Sequence, residues 1–180
     1  MTNLKVNKYL KIDLFGKGEW LDEPDQLEFT YNEFNCYIKR PFSGNLCGYV
    51  EIPEDNIFYN RECFKCYELY EKVSVHGGIT FSDFIFDEER QKKIFFVGFD
   101  CAHLGDYVPL VEKYKIQNLN HKKFRNEIFK NVTKKLEKLE KLEKDILNGE
   151  KTYKNIEFVT QELESLVDQI IKIDSDEEKK

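Results

Sequence analysis

"KKIFFVGFDCAHLGD", residues 92–106, sets both the fold class and the place to look for chemistry. Its middle, Ile94, Phe95, Phe96 and Val97, is apolar at consecutive positions, whereas a strand with one wet face would alternate. An uninterrupted apolar run predicts a central strand buried on both faces. A polar cluster of Asp100, Cys101, His103 and Asp106 follows at once, so a rigid strand would hold whatever those side chains do.

Upstream, the first 110 residues or so are rich in aromatic and β-branched residues and broken by short turns. "QLEFTYNEF", residues 26–34, alternates Leu27, Phe29 and Tyr31 with Glu28, Thr30 and Asn32, the period of a half-buried strand. "NCYIKRP" (35–41) and "LCGYVEIP" (46–53) read as two more strands, parted by the turn-forming "FSGN" and each closed by proline. An antiparallel meander is expected. The first half of "IFYNRECFKCYELYEKVSV" (57–75) reads as a short helix or an irregular loop, and "GITFSDFIF" (78–86) alternates again.

After Pro109 the composition changes. Residues 121–149 are Lys/Glu-rich and carry Phe124, Ile128, Val132, Leu136, Leu139, Leu142 and Ile146 on one helical stripe, with Gly149 where a helix stop belongs. From Asn155 a second helix repeats Ile156, Val159, Leu163, Leu166, Ile170 and Ile173 in steps of three and four. The two predict a helical hairpin packed on itself and on the sheet, with self-association through the Ile156 to Ile173 seam as the alternative use. "KKLEKLEKLEKD" reads as a solvated helix face with Glu/Lys pairs, because acidic residues interrupt every basic cluster. The expected fold is therefore α+β in a single domain, 1–180: a mainly antiparallel, sheet-rich core over about 8–110, a C-terminal helical hairpin over about 118–173, and a disordered tail at 174–180.

The 180 residues carry a formal charge of −6 and are 41% hydrophobic, enough for one substantial core and unsuited to a polyanionic duplex. No apolar run approaches the roughly 20 residues needed to cross a bilayer, and the N-terminal stretch lacks a signal-peptide core. Five cysteines, an odd number, point to free thiols in a reducing compartment, so a cytoplasmic protein without a membrane partner is expected.

His76 in "VHGGIT" and His103 in "DCAHLGD" each lie near glycine, after an expected strand. If the two loops converge, His76, His103, Asp100 and Asp106 supply two imidazoles and two carboxylates. That set suits a divalent metal, the candidate cofactor, or metal-free acid/base chemistry on a phosphate ester. Gly77 and Gly78 would aim backbone amides at phosphate oxygens. Thr80 completes that loop. Trp20, in "GEWLDEPDQ", and Tyr49 are candidate stacking faces for a nucleobase, with a surface turn as the plain reading of Trp20's segment. Cys101 reads as a buried apolar filler with a thiolate nucleophile as the rival. Cys63 and Cys66 in "CFKC" have zinc-knuckle spacing, for which Cys36 and Cys47 would have to complete the site.

Through "GEWLDEPD", "CYIKRP", "GNLCGYVEIP", "VHGGIT", "GFDCAHLGDYVP" and "YKNIEFVTQELESL", the chain resembles a family of small, uncharacterised bacteriophage and prophage proteins. The family pattern matches His76, Gly77, Gly78, Thr80, Gly98, Asp100, Cys101, His103 and Asp106, while "CFKC" and the Lys/Glu helix depart from it. The resemblance implies no established reaction. It implies a phage-encoded protein in the host cytosol, of a size often used against host defence, and hence a pocket that binds, or further hydrolyses, a small phosphorylated ligand such as a nucleotide second messenger. The competing expectation is a non-enzymatic adaptor acting through the C-terminal helices.

Overall fold

The structure, a computed structural model, describes residues 8–122 and 150–177. Five strands form one sheet: β1 (Gln26–Tyr31), β2 (Phe34–Lys39), β3 (Cys47–Glu51), β4 (Phe81–Asp87) and β5 (Lys92–Asp100). Their order is β1-β2-β3-β5-β4, and every neighbouring pair is antiparallel. The expected meander is present in β1 to β3, and β5 lies between β3 and β4. Ile94, Phe95, Phe96, Val97 and Phe99 are all buried, as the continuous apolar run predicts.

The expected strand over 26–34 is instead β1, a turn and the start of β2. Tyr31 faces Phe34 across a two-residue loop, Asn32 and Glu33, whose φ values of 45° and 69° have the mirror-turn hand that matches strand twist. The inward positions change from odd (Leu27, Phe29, Tyr31) to even (Phe34, Cys36, Ile38) across it. The Tyr31 hydroxyl and the Asn32 amide both donate to Asp168, at 3.3 and 2.9 Å, which ties the hairpin to the C-terminal helix.

Among the described residues four α-helices accompany the sheet: α1 (Lys8–Phe15), α2 (Tyr67–Tyr70), α3 (Pro109–Lys122) and α4 (Ile156–Glu177), with a 3-10 turn at Glu19–Leu21. Helix α1 occupies the start of the region expected to be sheet-rich, because Lys11 and Phe15, four apart, are both buried on one face. Helix α3 begins at Pro109, whose fixed φ and missing N–H suit a first helical position. The first arm of the expected hairpin, 123–149, lies outside the described residues.

Helix α4 packs across β2 and β3. Val159, Leu163, Leu166, Val167 and Ile170 are fully buried in the core cluster with Cys36, Ile38 and Val50, and Ile156 and Ile173 pack against it. The Ile156 to Ile173 seam thus packs on this chain's own sheet, as the hairpin expectation included, rather than standing open for a second copy. Gly48 permits the approach, since a Cβ there would stand 3.1 Å from Leu163 Cδ2 and 2.8 Å from Phe99 Cε1. Residues 174–177, expected as tail, continue α4: Asp174 accepts the Ile57 amide at 2.7 Å and Glu177 pairs with Lys72 at 3.2 Å. Among the described residues no helix is long and apolar enough to cross a membrane.

A second set of long-range ties joins α1, the 19–25 loop and α4. Lys11 Nζ donates to the Trp20 and Glu23 carbonyls and pairs with Asp25 at 2.6 Å. Arg40, its side chain 2% exposed, pairs with Glu23 at 2.7 Å and Asp25 at 2.9 Å and donates to the Gly44 carbonyl and the Tyr153 hydroxyl. Glu23 also accepts the Tyr153 hydroxyl at 2.6 Å and the Ile156 amide at 2.9 Å, so it caps α4 where the helix dipole favours a carboxylate.

Candidate functional site

β5 ends at Asp100, and the chain turns over the next six residues. Asp100 Oδ1 accepts the Ala102 amide at 2.9 Å, while the Asp106 amide donates to the His103 carbonyl at 3.0 Å. Gly105, at φ 99°, bends the turn, and its carbonyl accepts the Thr152 amide that joins it to the chain entering α4. This turn carries Asp106 inward, where its side chain is 2% exposed.

The "VHGG" loop reaches the same place. The His76 amide donates to Glu162 of α4 at 2.7 Å, and its ring stands edge-on to Phe158 at 5.3 Å and to His103 at 5.4 Å. His76 Nε2 lies 2.8 and 3.1 Å from the two Asp106 oxygens. His103 Nδ1 lies 3.6 Å from Asp106 Oδ2 and has no hydrogen-bond partner although the atom is buried. The two loops do converge. One ligand atom each from His76, His103 and Asp106 falls within 4.8 Å of the others, the arrangement among the described residues that could hold a metal ion.

Two physical arguments favour an ion there. A buried carboxylate costs several kcal/mol unless positive charge or several donors compensate it. Asp106 has the His103 amide at 2.9 Å and two imidazoles, so a cation between the rings would complete its surroundings. Ligand atoms on a tetrahedral zinc, at bond lengths near 2.0–2.2 Å, stand roughly 3.4 Å apart. His103 Nδ1 and Asp106 Oδ2, 3.6 Å apart, fit that spacing, whereas His76 Nε2 and Asp106 Oδ2 stand at a hydrogen-bond distance of 2.8 Å. The buried, unpartnered imidazole nitrogen of His103 is an atom that a metal ion could take as a ligand.

The other expected site residues divide. Asp100 stands at the edge, 4.0 Å from His103 Nδ1, and serves the turn. Gly77, at φ 67°, allows close approach: a Cβ there would stand 2.0 Å from His103 Cε1. Gly78 donates its amide to the Val75 carbonyl at 2.9 Å, so that N–H is not aimed at a ligand as expected. Thr80 is exposed and its amide joins the Gly98 carbonyl ahead of β4.

Trp20 is 4% exposed, stacked on Tyr107 at 5.6 Å and edge-on to Tyr153, so it is a core residue and has no face for a nucleobase. Tyr49 follows Gly48, which faces α4, and alternation places it on the opposite side of the sheet from the histidines. Cys101 is 2% exposed; burial first, then the Asp106 charge, pushes its thiol well above the ordinary value, as suits a filler. Cys36 and Cys47 sit within β2 and β3 and join no metal-capable grouping with Cys63 and Cys66 among the described residues.

The sequence reading missed three neighbours. Lys154 Nζ lies 5.0 Å above the Phe158 ring and donates to Thr152 Oγ1 at 2.8 Å, which puts an ammonium beside the aromatic wall of His76. Phe158 and Glu162 complete that wall. All three lie some 50 or more residues from either histidine loop, and no local spacing signals them. Compared with protein-family models, curated proteins and solved structures, the chain matches none.

Proposed function

We propose that His76, His103 and Asp106 hold a divalent metal ion and that this centre binds a small phosphorylated ligand, with hydrolysis of that ligand as its reaction. The observation that carries the reading is the convergence of three ligand atoms within 4.8 Å around an imidazole nitrogen that has no other partner. An ion there would take a phosphate oxygen as a further ligand and lower the pKa of a bound water. Lys154 supplies a second positive charge toward the phosphate, and Phe158 and Glu162 hold the imidazole of His76 and its backbone in place.

A nucleotide second messenger is the favoured ligand class, in keeping with the resemblance of "VHGGIT" and "GFDCAHLGD" to phage proteins and with a role against host defence in the host cytosol. The adaptor reading drew on the Ile156 to Ile173 seam, and Val159, Leu163, Leu166 and Ile170 of that seam are in the core.

The test is incubation of zinc- or manganese-loaded protein with a panel of cyclic and linear nucleotides, followed by heat denaturation and mass spectrometry. A nucleotide retained intact or converted is expected from the native chain and from neither His103→Ala nor Asp106→Asn. No retention and no turnover anywhere in the panel would overturn the nucleotide reading.

A further inference from the structure

The face of the sheet turned away from α4 carries its own cavity, of about 300 Å³. Tyr37, Tyr49 and Phe96 supply its aromatic lining and Ile85 an apolar side. Tyr37 and Tyr49 are cross-strand partners, and Phe96 stands edge-on to Tyr37 at 5.4 Å. Tyr49 lies opposite Gly98, where a Cβ would come within 2.6 Å of Tyr49 Cδ1. The glycine therefore lets the Tyr49 ring lie flat along the strand and leaves the hollow open.

The lining is acidic. Glu28, Asp87, Glu88 and Glu89 contribute four carboxylates against the single ammonium of Lys39. Arg90 does not offset them, since both Glu51 oxygens hold it at 2.7 and 2.8 Å and it donates to the Tyr37 hydroxyl at 3.1 Å. Asp87 is partly engaged by the Glu89 and Arg90 amides and by Arg90 Nε at 3.5 Å. Among the described residues Glu28, Glu88 and Glu89 have no cationic partner.

We propose that this cavity is a second ligand site and takes a small organic cation of the quaternary-ammonium type. Aromatic faces attract a cation through their quadrupole, most strongly when the cation sheds water easily, and the carboxylates of the β4–β5 turn raise its local concentration. A phosphorylated ligand would meet a net negative lining here, with Glu28, Glu88 and Glu89 outnumbering Lys39, so this site and the histidine cluster select opposite chemistries on opposite faces of one sheet.

The test uses the full chain and two probes of nearly equal shape, choline and its uncharged counterpart 3,3-dimethylbutanol, with affinity read by calorimetry and by NMR shifts of the tyrosine resonances. Choline is expected to bind saturably, about tenfold more tightly than the alcohol. Glu88→Gln/Glu89→Gln, on an exposed turn, is expected to weaken choline severalfold and leave the alcohol unchanged. His103→Ala is expected to leave choline affinity untouched. Absence of choline binding, equal affinity for both probes, or a Gln double variant that binds choline normally would each overturn the proposal.

Discussion

Two polar clusters are buried beyond the same end of this sheet, one after β2 and one after β5, and they differ in one respect. Around Arg40, two cations meet two carboxylates, and the remaining donors find the Trp20, Glu23 and Gly44 carbonyls and the Tyr153 hydroxyl. Around Asp106, a carboxylate more deeply buried than Glu23 or Asp25 meets two imidazoles, and one imidazole nitrogen is left over. The first is closed and joins four segments of chain. The second leaves one buried nitrogen without a partner, and that nitrogen rather than the density of charge is the ground for proposing a functional site there.

That contrast can be broken at several strengths. The largest effect is expected from Arg40→Ala, which strands Glu23 without a cation and leaves Asp25 only Lys11, and should cost about 3–5 kcal/mol in urea unfolding. Zinc should not change that loss. If Arg40→Ala costs under about 1 kcal/mol, the closed network is not a structural joint. Next comes the metal itself. Zinc at a hundredfold excess over its dissociation constant should stabilise the native chain by about 2.7 kcal/mol, read as a rise in Tm that a chelator reverses and His103→Ala abolishes. A rise that persists in His103→Ala would move the ion elsewhere.

Gly77→Ala sharpens the comparison further. A left-handed backbone with a Cβ costs about 1–3 kcal/mol, and here the methyl would displace the His103 ring, so metal affinity should fall together with stability. Gly78→Ala shares the positive φ but meets nothing within 4 Å, so it should lose stability and keep the metal. Equal metal affinity in the two variants would sink the packing role given to Gly77. The smallest effect concerns thiols. Burial pushes Cys36 up to about 12 and Cys47 to about 11, leaving both protonated at neutral pH, so a thiol reagent should label half-exposed Cys66 first and Cys36 only on unfolding.

The sheet was legible in the sequence where hydrophobic period alone sufficed. The continuous apolar run at Ile94 to Val97 marked the strand paired on both sides, and the two loops were marked by histidines near glycine, although only His103 follows a strand and the stretch before His76, expected as a strand, is a turn after α2. The turn at Asn32 and Glu33 was hidden, since its second residue is a glutamate in a left-handed conformation whose neighbours are tied to Asp168, 136 positions away from Asn32. Trp20 read as a surface residue because its segment is acidic, yet those acids are the partners of Arg40 and Lys11. Lys154, Phe158 and Glu162 were invisible because only the docking of α4 on β2 and β3 brings them to the histidines.

The central claim is that His76, His103 and Asp106 form one metal centre, and metal stoichiometry measured by calorimetry with zinc, then manganese, tests it most directly. One ion per chain is expected, with binding lost in His76→Ala, His103→Ala and Asp106→Asn while each variant keeps its native circular dichroism. A native chain that binds neither metal, or folded variants that bind as well as it does, would contradict the claim.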